Sequence, residues 1–135
     1  MSTLHAAGSF EITMTPQPPY DSTGGVILSR VAISKVFRGD LEGLSTVEML
    51  SALSPLQGSA GYVAIERVTG RLLGRAGDFV LQHSGTMTRG KPELKVSVVP
   101  DTGTGELVGL AGTMVIEIIE GKHLYTADFT IDATG

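Results

Sequence analysis

The chain has 135 residues, 41% of them apolar and 18% charged, a net charge of −4 and no cysteine. That length fits one domain, 1–135, with enough apolar residues to bury a core. The balance excludes a disordered segment and a basic nucleic-acid surface, and the lack of thiols excludes disulfides and thiolate sites. The N-terminal stretch MSTLHAAGSFEI has no basic start and no long apolar run, so no signal peptide is expected. No run approaches the ~18 apolar residues of a membrane span. The expectation is a cytoplasmic chain with neither nucleic acid nor membrane as a partner.

In chain order, turn signals recur at short intervals. They include PQPPYDSTGG at 16–25, RGD at 38–40, SPLQGSAG at 54–61, LGRAG at 73–77, TRGKP at 88–92, PDTGTGE at 100–106 and EGK at 120–122. The segments between them are rich in Val, Ile, Thr, Leu and Phe, which suit a half-buried pleated surface. Eight strands are predicted: 8–15, 26–38, 41–53, 59–71, 76–88, 93–100, 110–119 and 123–132. The segment 41–53 is ambiguous, because Leu44, Val47 and Leu50 also sit at helical spacing. A strand is preferred there, since it follows a tight turn directly and completes a meander. A short helix near GTGELVGL is also possible. Alternation is clearest at the end, where Tyr125, Ala127, Phe129 and Ile131 share one face of 123–132. Glu120-Gly121-Lys122 closes the last hairpin.

Long antiparallel strands with short turns and no crossover helices leave a closed up-and-down barrel or a two-sheet sandwich. Even strand spacing favours the barrel, and closure removes edge strands. The predicted fold is therefore an all-β, closed antiparallel barrel of about eight strands, enclosing packed side chains or one small ligand. Several strands are apolar on both faces. In 59–71, Tyr62, Ala64 and Val68 oppose Val63 and Ile65. A second apolar face suggests a homo-oligomer, or a covering helix or loop.

The segments GDLEGLS (39–45), AIERVTGRLLGRAGDFVLQHSGTM (64–87) and VVPDTGTGELVGLAG (98–112) resemble a bacterial family, domain of unknown function 3224. The resemblance implies a single-domain barrel similar in fold to plant allene oxide cyclase, and an oligomer. It implies no reaction. An activity carried from allene oxide cyclase would rest on fold analogy alone.

One polar constellation stands out: Glu66, His83 and Glu42. Glu66 lies on the Tyr62/Ala64/Val68 face, a carboxylate among apolar neighbours. Strands 59–71 and 76–88 should pair as a hairpin, with residues 66 and 83 at similar distances from its turn and therefore as cross-strand neighbours. Desolvation would raise the carboxylate pKa and a protonated His83 would lower it. Such a pair could serve as catalytic general base and acid, or simply as an ion pair holding two strands in register. Glu42 could join them as a ligand contact, or pair with Arg38 across its turn. Gln82 and Ser84 flank His83 on the other face, and only one of the two sets can line a cavity.

Phe10, Tyr62, Phe79, Met87, Met114, Tyr125 and Phe129 could line an apolar ligand pocket or fill a core. The two tyrosines bring hydroxyls that need partners when buried. Three motifs carry nothing. GTGELVG (103–109) lacks the Lys-Ser/Thr of a phosphate loop and any βαβ context. His5, His83 and His123 have no metal-ligand spacing, and Ser84-Gly85 lacks a nucleophile elbow. No metal and no cofactor is expected. Two functions remain: a barrel binding a small, mainly apolar molecule with isomerase- or cyclase-type proton transfer, or a non-catalytic oligomeric barrel with a filled core and structural ion pairs.

Overall fold

Eight strands, each pairing with the next and the last with the first, close into an antiparallel barrel. The computed structural model describes residues 2–132. The strands are β1 (Ser2–Pro16), β2 (Ile27–Gly39), β3 (Leu41–Leu53), β4 (Ala60–Leu72), β5 (Arg75–Thr88), β6 (Lys91–Val98), β7 (Leu110–Ile119) and β8 (Lys122–Ile131). Apart from two short 3-10 turns, at Thr23–Gly25 and Gly105–Leu107, the described residues hold no helix. The segment with two possible readings, 41–53, is a strand, and the short helix near GTGELVGL is the second 3-10 turn.

The hairpin chemistry explains the meander. Leu73-Gly74, Arg89-Gly90 and Glu120-Gly121 form two-residue turns with positive φ at both positions, for example 49° at Leu73 and 84° at Gly74. That geometry matches the right-handed twist of the flanking strands, and a glycine in the second place relieves its strain. Strand β1 begins six residues earlier than its composition predicts. Its first half, STLHAAG, has weak alternation, yet it closes the barrel by pairing with β8 from Ser2↔Ile131 to Phe10↔His123. Tertiary pairing overrides a weak local preference here.

The interior divides into a solid end and a hollow end. At the solid end Leu41, Val68, Leu72, Phe79, Leu81 and Phe129 are almost fully buried. Phe79 and Phe129 meet edge to face at 5.9 Å. The connection between β6 and β7 folds back over this end. Its Leu107 is buried, and Thr104 ties it to β5 by donating its N–H to the Asp78 carbonyl at 2.9 Å. Strands β6 and β7 themselves pair only at Val96↔Met114 and Ser97↔Thr113. Tyr125 crosses the barrel wall between β8 and the β2–β3 turn. The Leu41 N–H donates to its hydroxyl at 2.8 Å, and that hydroxyl donates to the Arg38 carbonyl at 3.0 Å.

On the outer face, Leu44 and Leu50 of β3 and Val63 and Ile65 of β4 are exposed, with Leu50 paired to Val63. Among the described residues no helix is long and apolar enough to cross a membrane.

Candidate functional site

The site follows from inward-facing positions on four consecutive strands. The period of two puts Lys35 and Phe37 of β2 inside, then Ser45, Val47 and Met49 of β3. It also puts Tyr62, Ala64 and Glu66 of β4 inside, with Leu81, His83 and Gly85 of β5. Register then brings the polar ones together. Lys35 pairs with Ser45, Val47 with Glu66, and Ala64 with His83.

Glu66 is the centre of this cluster and is entirely buried. Its Oε1 lies 2.7 Å from Nε2 of His83 and accepts from Nζ of Lys35 at 3.1 Å. Its Oε2 accepts from the Ser45 hydroxyl at 2.6 Å. Lys35, Ser45 and His83 are themselves buried. Burial by itself would raise the Glu66 pKa. The His83 hydrogen bond, the Lys35 charge and the Ser45 hydrogen bond outweigh it, so the carboxyl sits below its ordinary value. Glu66 is therefore a carboxylate at neutral pH. An ionised carboxylate takes only donors, which assigns the Nε2 proton of His83 to this bond. The Nδ1 atom makes no hydrogen bond to the protein among the described residues. Since no fully buried side-chain nitrogen or oxygen there lacks a partner, Nδ1 keeps some accessible surface.

Above the cluster lies a cavity of about 210 Å³, with Lys35, His83, Phe10, Val47, Ala64 and Ile116 among its walls. Glu66 and Ser45 stand behind that floor. Met49, Tyr62 and Leu94 are shared with a wider recess of about 370 Å³ at the barrel mouth, which also includes Gly85, Met87 and Pro92. The Tyr62 ring lies against Gly85, where an added Cβ would stand 2.5 Å from its Cε1. Glycine is required for that approach. Burial first, and the Glu66 charge second, push the Tyr62 phenol above its ordinary pKa, so it stays protonated at neutral pH. Phe10 stacks with His123 at 5.1 Å, and the Lys35 ammonium lies 4.6 Å from the Phe10 ring centre.

Glu66 and His83 meet as the sequence predicts, though as diagonal neighbours and not directly opposite. His83 faces Ala64, and Glu66 faces Leu81. Glu42 is not part of the cluster. The inward positions of β3 are odd-numbered, so Glu42 points outward, exposed, opposite Arg71. Arg38 stands 3.8 Å from Glu11 instead. Phe10 and Tyr62 line the cavity and Met87 the outer recess. Phe79, Met114, Tyr125 and Phe129 are packed into the buried core and line neither space. His83, not Gln82 or Ser84, is the inward member of its segment.

Lys35 and Ser45 went unrecognised in the sequence. Lys35 did leave a signal, since it interrupts the apolar set Val31, Ile33 and Phe37 at a spacing of two. A serine in the same position of a strand carries no such contrast. No group of three or more His, Asp or Glu side chains among the described residues is placed to hold a metal.

Residues 6–129 match the family model described as protein of unknown function, DUF3224. The chain belongs to this family. A crystal structure of a protein with unknown function from the same family, from Shewanella oneidensis MR-1, is 49% identical. It superposes with a TM-score of 0.92, covering 97% of this chain and 98% of that one. No curated protein matches the chain.

Proposed function

We propose that the chain binds one small, mainly apolar molecule in the hollow end of its barrel and moves a proton on it through His83. The observation that carries this reading is the orientation of the imidazole. Nε2 is tied to the buried carboxylate of Glu66, Nδ1 is left without a protein partner among the described residues, and His83 lines an apolar cavity. A carboxylate behind a histidine fixes its tautomer and stabilises the imidazolium that proton uptake creates. With all three of its donors in place, Glu66 acts as a positioning residue, and His83 carries the proton in an isomerase- or cyclase-type step. The wall of Phe10, Val47, Ala64 and Ile116 selects an apolar body.

The test is binding of naphthalene, followed by NMR, to the wild type and to Ile116→Trp. Ile116 is a half-buried wall residue, so the indole fills the cavity and leaves the solid end untouched. Binding to the wild type and at least about tenfold weaker binding to the variant supports the reading. No binding to either leaves the alternative, a non-catalytic barrel in which Lys35, Ser45, Glu66 and His83 pin four strands. The filled end of the barrel favours that alternative as far as it extends.

We also propose that a second copy of the chain covers the apolar outer face of β3 and β4. Arg30 and Glu48, an ion pair on the same side of the wall, border Leu50, Val63 and Ile65. A two-fold axis through that patch would set the Arg30 of each copy near the Glu48 of the other, so the surface is self-complementary in charge as well as apolar.

A further inference from the structure

The cavity holds two groups with hydrogen-bond donors to spare. Lys35 donates to Glu66, and no other protein atom accepts from its ammonium among the described residues. The Tyr62 hydroxyl has no protein partner among them either. Both groups line the same cavity as His83. Lys35 and His83 also share one oxygen, Oε1 of Glu66, so ammonium and imidazole stand within the span of one small molecule. The floor therefore offers donors to an oxygen atom and an acceptor to a proton, side by side, beneath apolar walls.

Resting on the proton-transfer reading above, we propose that the ligand is a small apolar β,γ-unsaturated ketone, isomerised through its dienolate, with Lys35 holding the carbonyl oxygen. His83 Nδ1 removes a proton from the carbon beside the carbonyl. The C–H electron pair becomes the enolate C=C bond, and the carbonyl π pair moves onto oxygen. The Lys35 ammonium and the Tyr62 hydroxyl meet that negative charge beneath the apolar walls. His83 becomes an imidazolium facing the Glu66 carboxylate, then returns the proton to the far carbon of the ligand's own C=C bond. The π pair of that bond forms the new C–H bond, while the enolate pair shifts to make the conjugated C=C and the oxygen pair restores the carbonyl. Atoms and charge balance with no further reactant. Lys35 is suited to this part because Glu66 anchors it on one side and Phe10 on another, so its ammonium is already in place when charge develops. The other titratable groups facing these spaces are His123, stacked on Phe10, and Glu93 at the mouth.

A phenolate mimics an enolate, and 4-nitrophenol reports its ionisation by colour. The expected result is that wild-type protein binds the phenolate at least about tenfold tighter than the neutral phenol, lowering the apparent pKa of the bound phenol by about one unit or more. Lys35→Gln keeps a donor to Glu66 and removes the charge. It should lose the phenolate preference, measured as the ratio of phenolate to phenol affinity within the variant itself. Naphthalene binding with no phenolate preference in the wild type overturns the enolate assignment and leaves the proton-transfer site standing. Failure of the wild type to bind naphthalene removes both. The wild-type titration decides the ligand class even where a Lys35 variant does not fold. As a second readout, exchange of the α-protons of 2-tetralone in heavy water should be accelerated by the wild type and lost in His83→Gln. Absence of acceleration counts against the assignment.

Discussion

Lys35 on β2 and His83 on β5, with β3 and β4 between them, converge on the same carboxylate oxygen of Glu66. One anion thereby fixes two cationic or cationisable groups from β2 and β5, and Ser45 fixes the anion. Four strands are keyed to a single side chain.

Removing that charge should be costly. Glu66→Gln keeps the shape but leaves the Lys35 ammonium buried without a counter-charge, a change expected to destabilise by about 3–5 kcal/mol. Urea unfolding measures it. The double variant Glu66→Leu with Lys35→Met should recover much of the loss, because it removes both charges. Equal destabilisation in single and double variants would rule out the charge as the cause.

The same group sets an acid limit. Its carboxyl is held below its ordinary value in the folded chain, so its stabilisation is fully present above the ordinary carboxylate range of about 4.3. The contribution is lost as pH falls below that range through the lower, folded value. The urea midpoint of the wild type should therefore drop more steeply between about pH 5 and pH 2 than that of Glu66→Gln. Parallel curves would show that Glu66 does not carry the effect.

Tyr125→Phe tests the clasp between β8 and the β2–β3 turn. It leaves the Leu41 N–H without its hydroxyl acceptor in a buried place, at an expected cost of about 1–3 kcal/mol. Naphthalene affinity should not change, because Tyr125 does not line the cavity. A variant as stable as the wild type would mean that water takes the place of the hydroxyl.

Ile65→Glu places a charge beside Val63 in the proposed interface, next to Glu48 on β3. Ile65 is exposed in the single chain, so the fold should survive while a multimer dissociates. Native mass spectrometry reads the subunit count of both forms. A monomeric wild type, or a multimer that the variant leaves intact, would rule this interface out.

Much of this architecture is legible in the sequence, for a physical reason. Seven of the eight strands have ends marked by turn residues within a few positions of the observed ones, because the glycine turns are local events. β1 is the exception, since the small residues at 2–8 become a strand only through pairing with β8. The meeting of Glu66 and His83 is readable because one hairpin carries both. Lys35 and Ser45 reach Glu66 from β2 and β3, and that needs two more registers than a single hairpin supplies. Glu42 fails by parity alone. Leu41 packs inward against the barrel base, which turns its neighbour to water.

The separation of the interior into a packed half and an empty half has an evolutionary consequence. Folding free energy is concentrated around Phe79, Phe129 and their neighbours, whereas Tyr62, Met87, Leu94 and Ile118 guard the entrance and contribute little to it. Substitutions at the entrance can therefore accumulate without endangering the scaffold. Related chains are thus free to share one skeleton and differ around its mouth.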